Sequence, residues 1–316
     1  MDTVSVLTPL YNDWDSFSLL LPALNDAAKK GGFQLKIFVA DDCSTDPRPV
    51  FDLVPYTHIH SLDVILLARN LGHQRAIAVG LAALNDMSLN LPIIVMDSDG
   101  EDLPSDILSL KTESIAYPGE IVFARRQKRS EGIVFRTFYF LFKAAFFILT
   151  GKKIGFGNFS LIPPEQLSRI AHLQEIWNHF PAGIMRSGLR WRSVPTIRGH
   201  RYAGTSRMNL TGLALHGLSA ISVYVEIVYA RLLFLSFGLI ALDVFAFLFL
   251  VYIRFGTPLA IPGWATNVAV GLTVVMAQAI LFLALLSFVV LSYRSVKMFI
   301  PATDYKDYLL KIESLK

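Results

Sequence analysis

Four acids, Asp97, Asp99, Glu101 and Asp102, stand within six positions directly after the apolar run Ile93 to Met96. Like charges this close repel unless something offsets them. Asp97-Ser98-Asp99 is a carboxylate pair able to hold Mg2+ or Mn2+, hard cations that prefer oxygen ligands and often share substrate phosphates. A bare D-x-D recurs by chance; its place after an apolar run gives it weight. A second acidic group, "ADDCSTD" (40–46), offers Asp41 and Asp42 to a nucleotide base or ribose, while Ser44, Thr45 and Asp46 suit a helix cap, and capping alone would also account for it. Two cationic stretches, "ARRQKRSEG" (124–132) and "RGHRYAGTSRMN" (198–209), carry arginine forks that match phosphate oxygens, although contact with lipid headgroups is the simpler use.

Other chemistries find no support. The seven histidines form no His-x-x-x-His or His-Glu-x-x-His pattern, so none is assigned to a metal, and no phosphate loop or nucleophile elbow occurs. Cys43 is the single cysteine, which excludes an intrachain disulfide and a cysteine zinc site and fits a reducing compartment.

The elements that must position these groups alternate. "VSVLTPL" (4–10), "LKIFVAD" (35–41), "DVILLAR" (63–69) and "PIIVMD" (92–97) read as buried strands with helices between them, hence a mainly parallel α/β sheet covered on both faces. Ligands bind such sheets beyond the carboxyl ends of the strands, where both acidic groups lie.

The second half meets lipid. Residues 232–253 and 268–291 are apolar runs with one charge and none, each long enough at ~1.5 Å per residue to cross a ~30 Å hydrocarbon core. Residues 132–150 and 212–230 suit helices lying in the interface, with a buried core helix as the alternative. The division expected is a cytoplasmic domain over 1–211, a juxtamembrane helix over 212–230, a two-span region over 231–293 and a cytoplasmic tail over 294–316. Arg207, Arg231, Arg294, Lys297, Lys306 and Lys311 flank the spans and only Arg254 lies between them, which places both termini in the cytoplasm of an inner (plasma) membrane protein. Asp243, within the first span, is expected to face protein rather than lipid.

Charge is uneven. Residues 1–120 hold 17 acids against 7 Lys and Arg, and residues 121–231 hold 4 against 16. Two solvated faces would produce this division, and so would an acidic cation site facing a basic surface for phosphates or an anionic membrane. Two spans argue against nucleic acid as a partner.

"VSVLTPLYND", "VADDCSTD", "LARNLGHQRAIAVGL", "VMDSDGEDLP" and "FARRQKRSE", in this order and followed by two membrane helices, resemble the family-2 inverting glycosyltransferases. The branch they resemble is the polyprenyl-phosphate glycosyltransferases, relatives of dolichyl-phosphate mannose synthase. The resemblance covers roughly residues 3–295 and is silent on the sugar. It implies a GT-A-type nucleotide-sugar-binding domain, a nucleotide-sugar donor and a polyprenyl-phosphate acceptor. By motif, Pro9, Tyr11 and Asn12 would line the nucleotide pocket, with Asp41 or Asp42 on base or ribose. Arg69, Asn70, Gly72 and Arg75 of "RNLGHQR" would add substrate contacts. Asp97 and Asp99 would hold Mg2+ or Mn2+ against the diphosphate, and Asp102 would stand near the reacting centre. Arg125, Arg129, Arg201, Ser206 and Arg207 would bind phosphates.

The chain departs from that pattern once. Where many relatives carry an Asp in a "DFRLM"-like segment, this one reads "GNFSLI" (157–162), placing Asn158 there. A phosphate acceptor is largely ionised at neutral pH, its second pKa being near ~6, and needs positioning rather than a base. The substitution therefore favours a lipid phosphate over a sugar hydroxyl, with Asn158 free to hydrogen-bond it. Extension of a lipid-linked glycan at a hydroxyl, and a non-catalytic membrane scaffold, are the alternatives. A homo-oligomer is a further expectation, from the apolar surfaces at 132–150 and 212–230.

Overall fold

The structure, a computed structural model, describes residues 2–126, 133–153, 155–204, 210–258 and 263–315. It divides into two compact units: 1–144 with 152–223 and 298–316, and 145–151 with 224–297.

In the first unit, β1 (Asp2–Leu10), α1 (Trp14–Gly31), β2 (Phe33–Asp41), β3 (Ile59–Leu67), α2 (His73–Asp86) and β4 (Ile93–Val95) form the parallel half of the sheet. β1 pairs in parallel with β2 and β4, and β2 with β3. Residues 4–10 are buried throughout, as a strand covered on both faces requires. Phe17, Leu20, Leu21 and Leu24 of α1 cover one face. The small-residue run of α2 covers the other. Gly80 lets α2 come close: a Cβ there would sit 2.6 Å from Leu7 Cδ1.

The chain continues through α3 (Ile107–Ala116), β5 (Ile121–Arg126), α4 (Ile133–Thr150), β6 (Ser160–Ile162), α5 (Pro164–Ala171), α6 (Phe180–Ser187), β7 (Trp191–Thr196) and α7 (Leu210–Ser222). β6 runs antiparallel to both β4 and β5, and β5 is parallel to β7. The four expected strands are present with ends shifted by a few residues. The last of them is only Ile93–Val95, because the backbone turns out of the sheet to present the acids.

The second unit contains α8 (Val225–Gly256) and α9 (Trp264–Ser295), each 32 residues and apolar enough to cross a membrane. They extend past the apolar runs because helical hydrogen bonding continues beyond the apolar stretch. Tyr229 Oη and Ser287 Oγ, 3.2 Å apart, link them. Asp243 is only 6% exposed on a helix otherwise rich in open apolar side chains, so it is turned away from the open apolar surface.

Two expectations are corrected. The helix expected over 212–230 is two, breaking between Ser222 and Val225, where the Arg186 guanidinium takes the Val223 carbonyl that would have continued the ladder. The expected C-terminal tail is structured: α10 (Pro301–Asp304) leads to β8 (Leu309–Leu315), which pairs antiparallel with β3 and covers an edge that would otherwise expose unpaired backbone. On α4, Phe140, Leu141, Phe147 and Ile148 are open, while Phe146 and Thr150 are buried.

Candidate active site

The carboxyl ends of β1, β2 and β4 meet at one edge of the sheet, and the acids project there. After β4 the chain makes a tight loop. Asp102 folds back so that its Oδ2 accepts the Asp97 amide at 3.0 Å, and Asp99 Oδ1 accepts the Glu101 amide at 2.9 Å. Gly100 at φ +87 permits the turn, and the Tyr202 ring lies where a Cβ would be, 2.5 Å from it. The segment 198–204 is laid over the loop by Gly199 N–H to Glu101 O and Tyr202 N–H to Asp99 O, 2.8 and 2.9 Å.

Arginines offset the acids. Arg201 Nη1 donates to Asp99 Oδ2 at 2.9 Å and Nη2 to Asp13 Oδ2 at 2.5 Å. Arg126 Nη2 donates to Asp102 Oδ1 at 2.8 Å, and Arg198 forks onto Glu101 with Nη2 2.7 Å from both oxygens. Burial raises Asp99, and the charge of Asp97 raises it further, to about 6. Asp102 is pushed up to about 7 by burial and then by Asp97, against the pull of Arg126. Asp97 goes the other way: burial would raise it, but the neighbouring His73 imidazole dominates the opposing influences and holds it down to about 2.

On the far side of Asp97 lies a hydrogen-bonded chain. The Phe180 amide donates to Gln74 Oε1 at 2.6 Å, and Gln74 Nε2 donates to Asn158 Oδ1 at 3.0 Å. Asn158 Nδ2 is 2.9 Å from His73 Nε2, which is 3.1 Å from Asp97 Oδ1. Burial works against charging His73, but the Asp97 carboxylate outweighs it and raises the imidazole, an attraction present only while Asp97 carries no cation. Next to Phe180, His179 Nδ1 accepts the Ala182 amide at 3.2 Å and so caps α6. Its proton is therefore on Nε2, which donates to His216 Nε2 of α7 at 3.3 Å. Burial, and then His216, push His179 well down.

The residues expected around the nucleotide lie at the same edge. Pro9 is buried at the end of β1 and Tyr11 is exposed. Asn12 Oδ1 accepts the amides of Thr45 and Asp46 at 2.7 and 2.9 Å, and Asp41 Oδ1 accepts that of Ser44 at 2.9 Å. Asp42 is buried and accepts the Leu71 and Gly72 amides at 2.6 and 2.8 Å. It therefore holds the loop after β3, while Asp41, 5% exposed, holds the turn at Ser44. Arg69 lies over Tyr308 and Arg75 over Trp177, while Asn70 and Gly72 are exposed beside them.

Three expectations shift. Arg125 points outward, and Arg126 is the arginine that reaches the acids; alternation along β5 is the signal that separates the two. Asp102 is 3% exposed and tied into the loop, which makes it a brace rather than a presented group. Asn158 has both ends of its amide engaged by Gln74 and His73 instead of being held out for an acceptor. Arg129, Ser206 and Arg207 lie outside the described residues. Sequence reasoning missed Asp13, His73, Gln74, Arg126 and Arg198. "LGHQR" contained two of them, but no local spacing links them to residue 158.

Among the described residues no three His, Cys, Asp or Glu side chains form an ion cage. Asp97 Oδ1 is nevertheless shut off from solvent, facing the His73 imidazole at 3.1 Å. A buried acceptor left in this state, beside a second carboxylate, fits a divalent cation whose other positions are filled by diphosphate oxygens and water.

A mixed, mostly parallel sheet with acids and arginines beyond its strand ends is a GT-A-like architecture. Residues 5–177 match the family described as Glycosyl transferase family 2, and the chain belongs to that family. Over 157 residues it is 31% identical to an undecaprenyl-phosphate 4-deoxy-4-formamido-L-arabinose transferase of Photorhabdus laumondii subsp. laumondii, a match covering 48% of this chain and 46% of the relative. A protein of the same name from Klebsiella pneumoniae subsp. pneumoniae is 31% identical over 156 residues, covering 48% and 45%. The chain thus spans about half the length of the curated relatives it matches. A crystal structure of glucosyl-3-phosphoglycerate synthase from Mycobacterium tuberculosis, in complex with Mn2+, UDP and phosphoglyceric acid, aligns with a TM-score of 0.47 and 15% identity over 72% of this chain and 78% of that one.

Proposed function

We propose that the protein is a membrane-bound inverting glycosyltransferase that moves a sugar from a UDP- or GDP-sugar to a polyprenyl phosphate such as undecaprenyl phosphate. The observation that carries this reading is the placement of Asp97 and Asp99 at the end of β4, ringed by Arg126, Arg198 and Arg201, in a chain that also holds two long apolar helices. The undecaprenyl-phosphate relatives supply the acceptor class.

Asp97 and Asp99 would hold Mg2+ or Mn2+, which supplies positive charge for the departing diphosphate. Asp41 and the Asn12 loop receive the nucleoside. Arg201, already bonded to Asp99, is placed to hold a phosphate oxygen. An acceptor phosphate oxygen forms the bond to the anomeric carbon as the bond from that carbon to the diphosphate oxygen breaks, and the nucleoside diphosphate leaves. The acceptor arrives ionised, so the protein contributes position and charge rather than a general base.

That β1 and β8 belong to one sheet supports a topology in which α8 and α9 cross the membrane and return, with both ends on one side. The basic flanks favour the cytoplasm for that side. A lipid-linked sugar would then form at the cytoplasmic face.

The test is incubation of the purified protein in nanodiscs with undecaprenyl phosphate, Mg2+ or Mn2+ and radiolabelled UDP- and GDP-sugars. Label should enter the lipid fraction and vanish with Asp99→Ala. Transfer onto sugar hydroxyls alone would sink the phosphate acceptor.

A further inference from the structure

We infer that Trp177, Phe299 and Tyr308 form an aromatic clamp that holds the Arg69 and Arg75 guanidiniums at the edge of the site for the phosphate oxygens of a substrate. The three rings are positioning residues, and the inference rests on the reading of the protein as a transferase with phosphate-bearing substrates.

The arginines at this edge fall into two groups. Arg126, Arg198 and Arg201 each donate to an acid of the loop after β4. Arg69 and Arg75 are exposed and have no acidic partner among the described residues. Each lies instead over an aromatic ring, Arg69 Cζ 5.4 Å from the centre of Tyr308 and Arg75 Cζ 5.3 Å from that of Trp177. Both distances fall within the ~6 Å over which a ring face attracts a cation. The difference matters chemically. A carboxylate occupies guanidinium N–H donors and cancels the charge, whereas a ring face does neither, so the group keeps its fork of donors for an incoming anion. Phosphate oxygens match that fork in bidentate geometry.

The rings brace one another. Trp177 lies 3.8 Å from Phe299 and 5.3 Å from Tyr308, centre to centre, and Phe299 and Tyr308 are 5.5 Å apart. Trp177 and Tyr308 also pack against the core that contains Ala76 and Val79 of α2. The Tyr308 carbonyl accepts the Ala68 amide at 2.8 Å, which fixes the ring beside Arg69. Between the two arginines, Asp42 accepts the amides of Leu71 and Gly72 and pins the loop. Arg69 follows the carboxyl end of β3, and Arg75 is two residues from His73, which meets Asp97 at 3.1 Å. Both guanidiniums therefore stand on the edge that carries the acids. Phe299 and Tyr308 come from the segment after α9, so the stretch that pairs β8 with β3 also supplies two of the three rings, and all of these residues belong to the first unit.

Full-length protein in nanodiscs would be titrated calorimetrically with UDP and GDP in Mn2+ and with geranyl phosphate, with empty nanodiscs as the blank. The variants are Arg69→Gln, Arg75→Gln, Tyr308→Leu, Tyr308→Phe and a chain carrying both Arg69→Gln and Tyr308→Leu. Each arginine variant should weaken a phosphate ligand about tenfold or more through loss of a charge-assisted bond. Tyr308→Leu should weaken the same ligand about 2- to 5-fold, while Tyr308→Phe, which keeps the ring, should match the wild type. With Arg69 already replaced, Tyr308→Leu should have no further effect, because the ring acts only through the guanidinium. Weaker UDP or GDP assigns the clamp to the donor diphosphate, and weaker geranyl phosphate assigns it to the acceptor. A further loss in the double variant, or a Tyr308→Phe chain as weak as Tyr308→Leu, overturns the clamp. A wild type that binds these ligands with an affinity indifferent to both arginine variants overturns the clamp and leaves the transferase reading standing. A wild type that binds none of the three overturns both.

Discussion

Arg201 Nη1 lies 2.9 Å from Asp99 Oδ2, a contact between residues 102 apart in the chain. The same guanidinium reaches Asp13, so one side chain joins the loop after β1 to the loop after β4. Charge-assisted bonds of this kind contribute about 1.5–3 kcal/mol. Arg201→Gln should lower kcat/KM for transfer by about 10- to 100-fold. Mn2+ binding should survive, because Arg201 competes for Asp99 rather than supplying a ligand. Loss of Mn2+ binding in the variant would show that Arg201 builds the cation site instead.

Metal affinity should depend on pH through Asp99. Its carboxyl is raised to about 6, so it takes up a proton as pH falls through that value and Mn2+ must compete. Stability of the metal-free protein runs the opposite way. Asp99 and Asp102 have folded-state values of about 6 and about 7, above their ordinary range, so the native state binds more protons than the unfolded state. Stability should fall as pH rises from ~4 to ~7, and Asp102→Asn should flatten the slope. Thermal melts in detergent with a chelator, across that range, check both signs.

Arg126→Ala and Arg125→Ala should differ sharply despite adjacent positions. Removing Arg126 leaves the buried Asp102 without its 2.8 Å partner and should cost about 1–3 kcal/mol. Arg125 is exposed, and its removal should leave the melting temperature within error. Equal effects would mean that the Arg126–Asp102 pair contributes nothing.

Gly100→Ala should cost about 1–3 kcal/mol locally, since φ is +87 and the Tyr202 ring fills the place of a Cβ. Segment 198–204 would lift, carrying Arg201 with it. Mn2+ and donor affinities should both drop, with faster amide exchange at Tyr202 as the structural readout. Gly204, also at positive φ but with nothing near a Cβ, is the control expected to disturb only its own backbone.

His216→Phe keeps an aromatic side chain on α7 but removes the acceptor for His179 Nε2–H. Because His179 caps α6 through its other nitrogen, the cap should persist. The expected loss is about 1 kcal/mol. A fall much larger than this would show that the pair anchors α7.

Much of the parallel half of the sheet could be read without coordinates. Runs such as "VSVLTPL" and "LKIFVAD" are apolar beyond what a half-exposed strand tolerates, so they declare burial on both faces, and "DSDGED" directly after one declares a strand exit. β8 was invisible for the opposite reason. "LLKIESL" alternates weakly, follows two membrane spans, and becomes a strand only because β3 offers an unpaired edge. The chain of contacts from Phe180 to His73 was equally hidden: its partners are 84 to 106 residues apart, and glutamine, asparagine and histidine each have many ordinary uses.

By itself the sequence determined the chemistry on offer: a carboxylate pair at a strand exit, two arginine-rich stretches, and two apolar runs of membrane length. Residue type and local period encode these, because burial and charge act on each short segment independently of the rest. Tertiary structure alone decided which groups meet. It chose Arg126 over Arg125, turned Asp102 inward, spent Asp42 on a loop, and set His73 between Asp97 and Asn158. Those outcomes depend on strand order and on the direction of hydrogen bonds across the sheet edge, and pairing between distant segments has no signature in either segment alone.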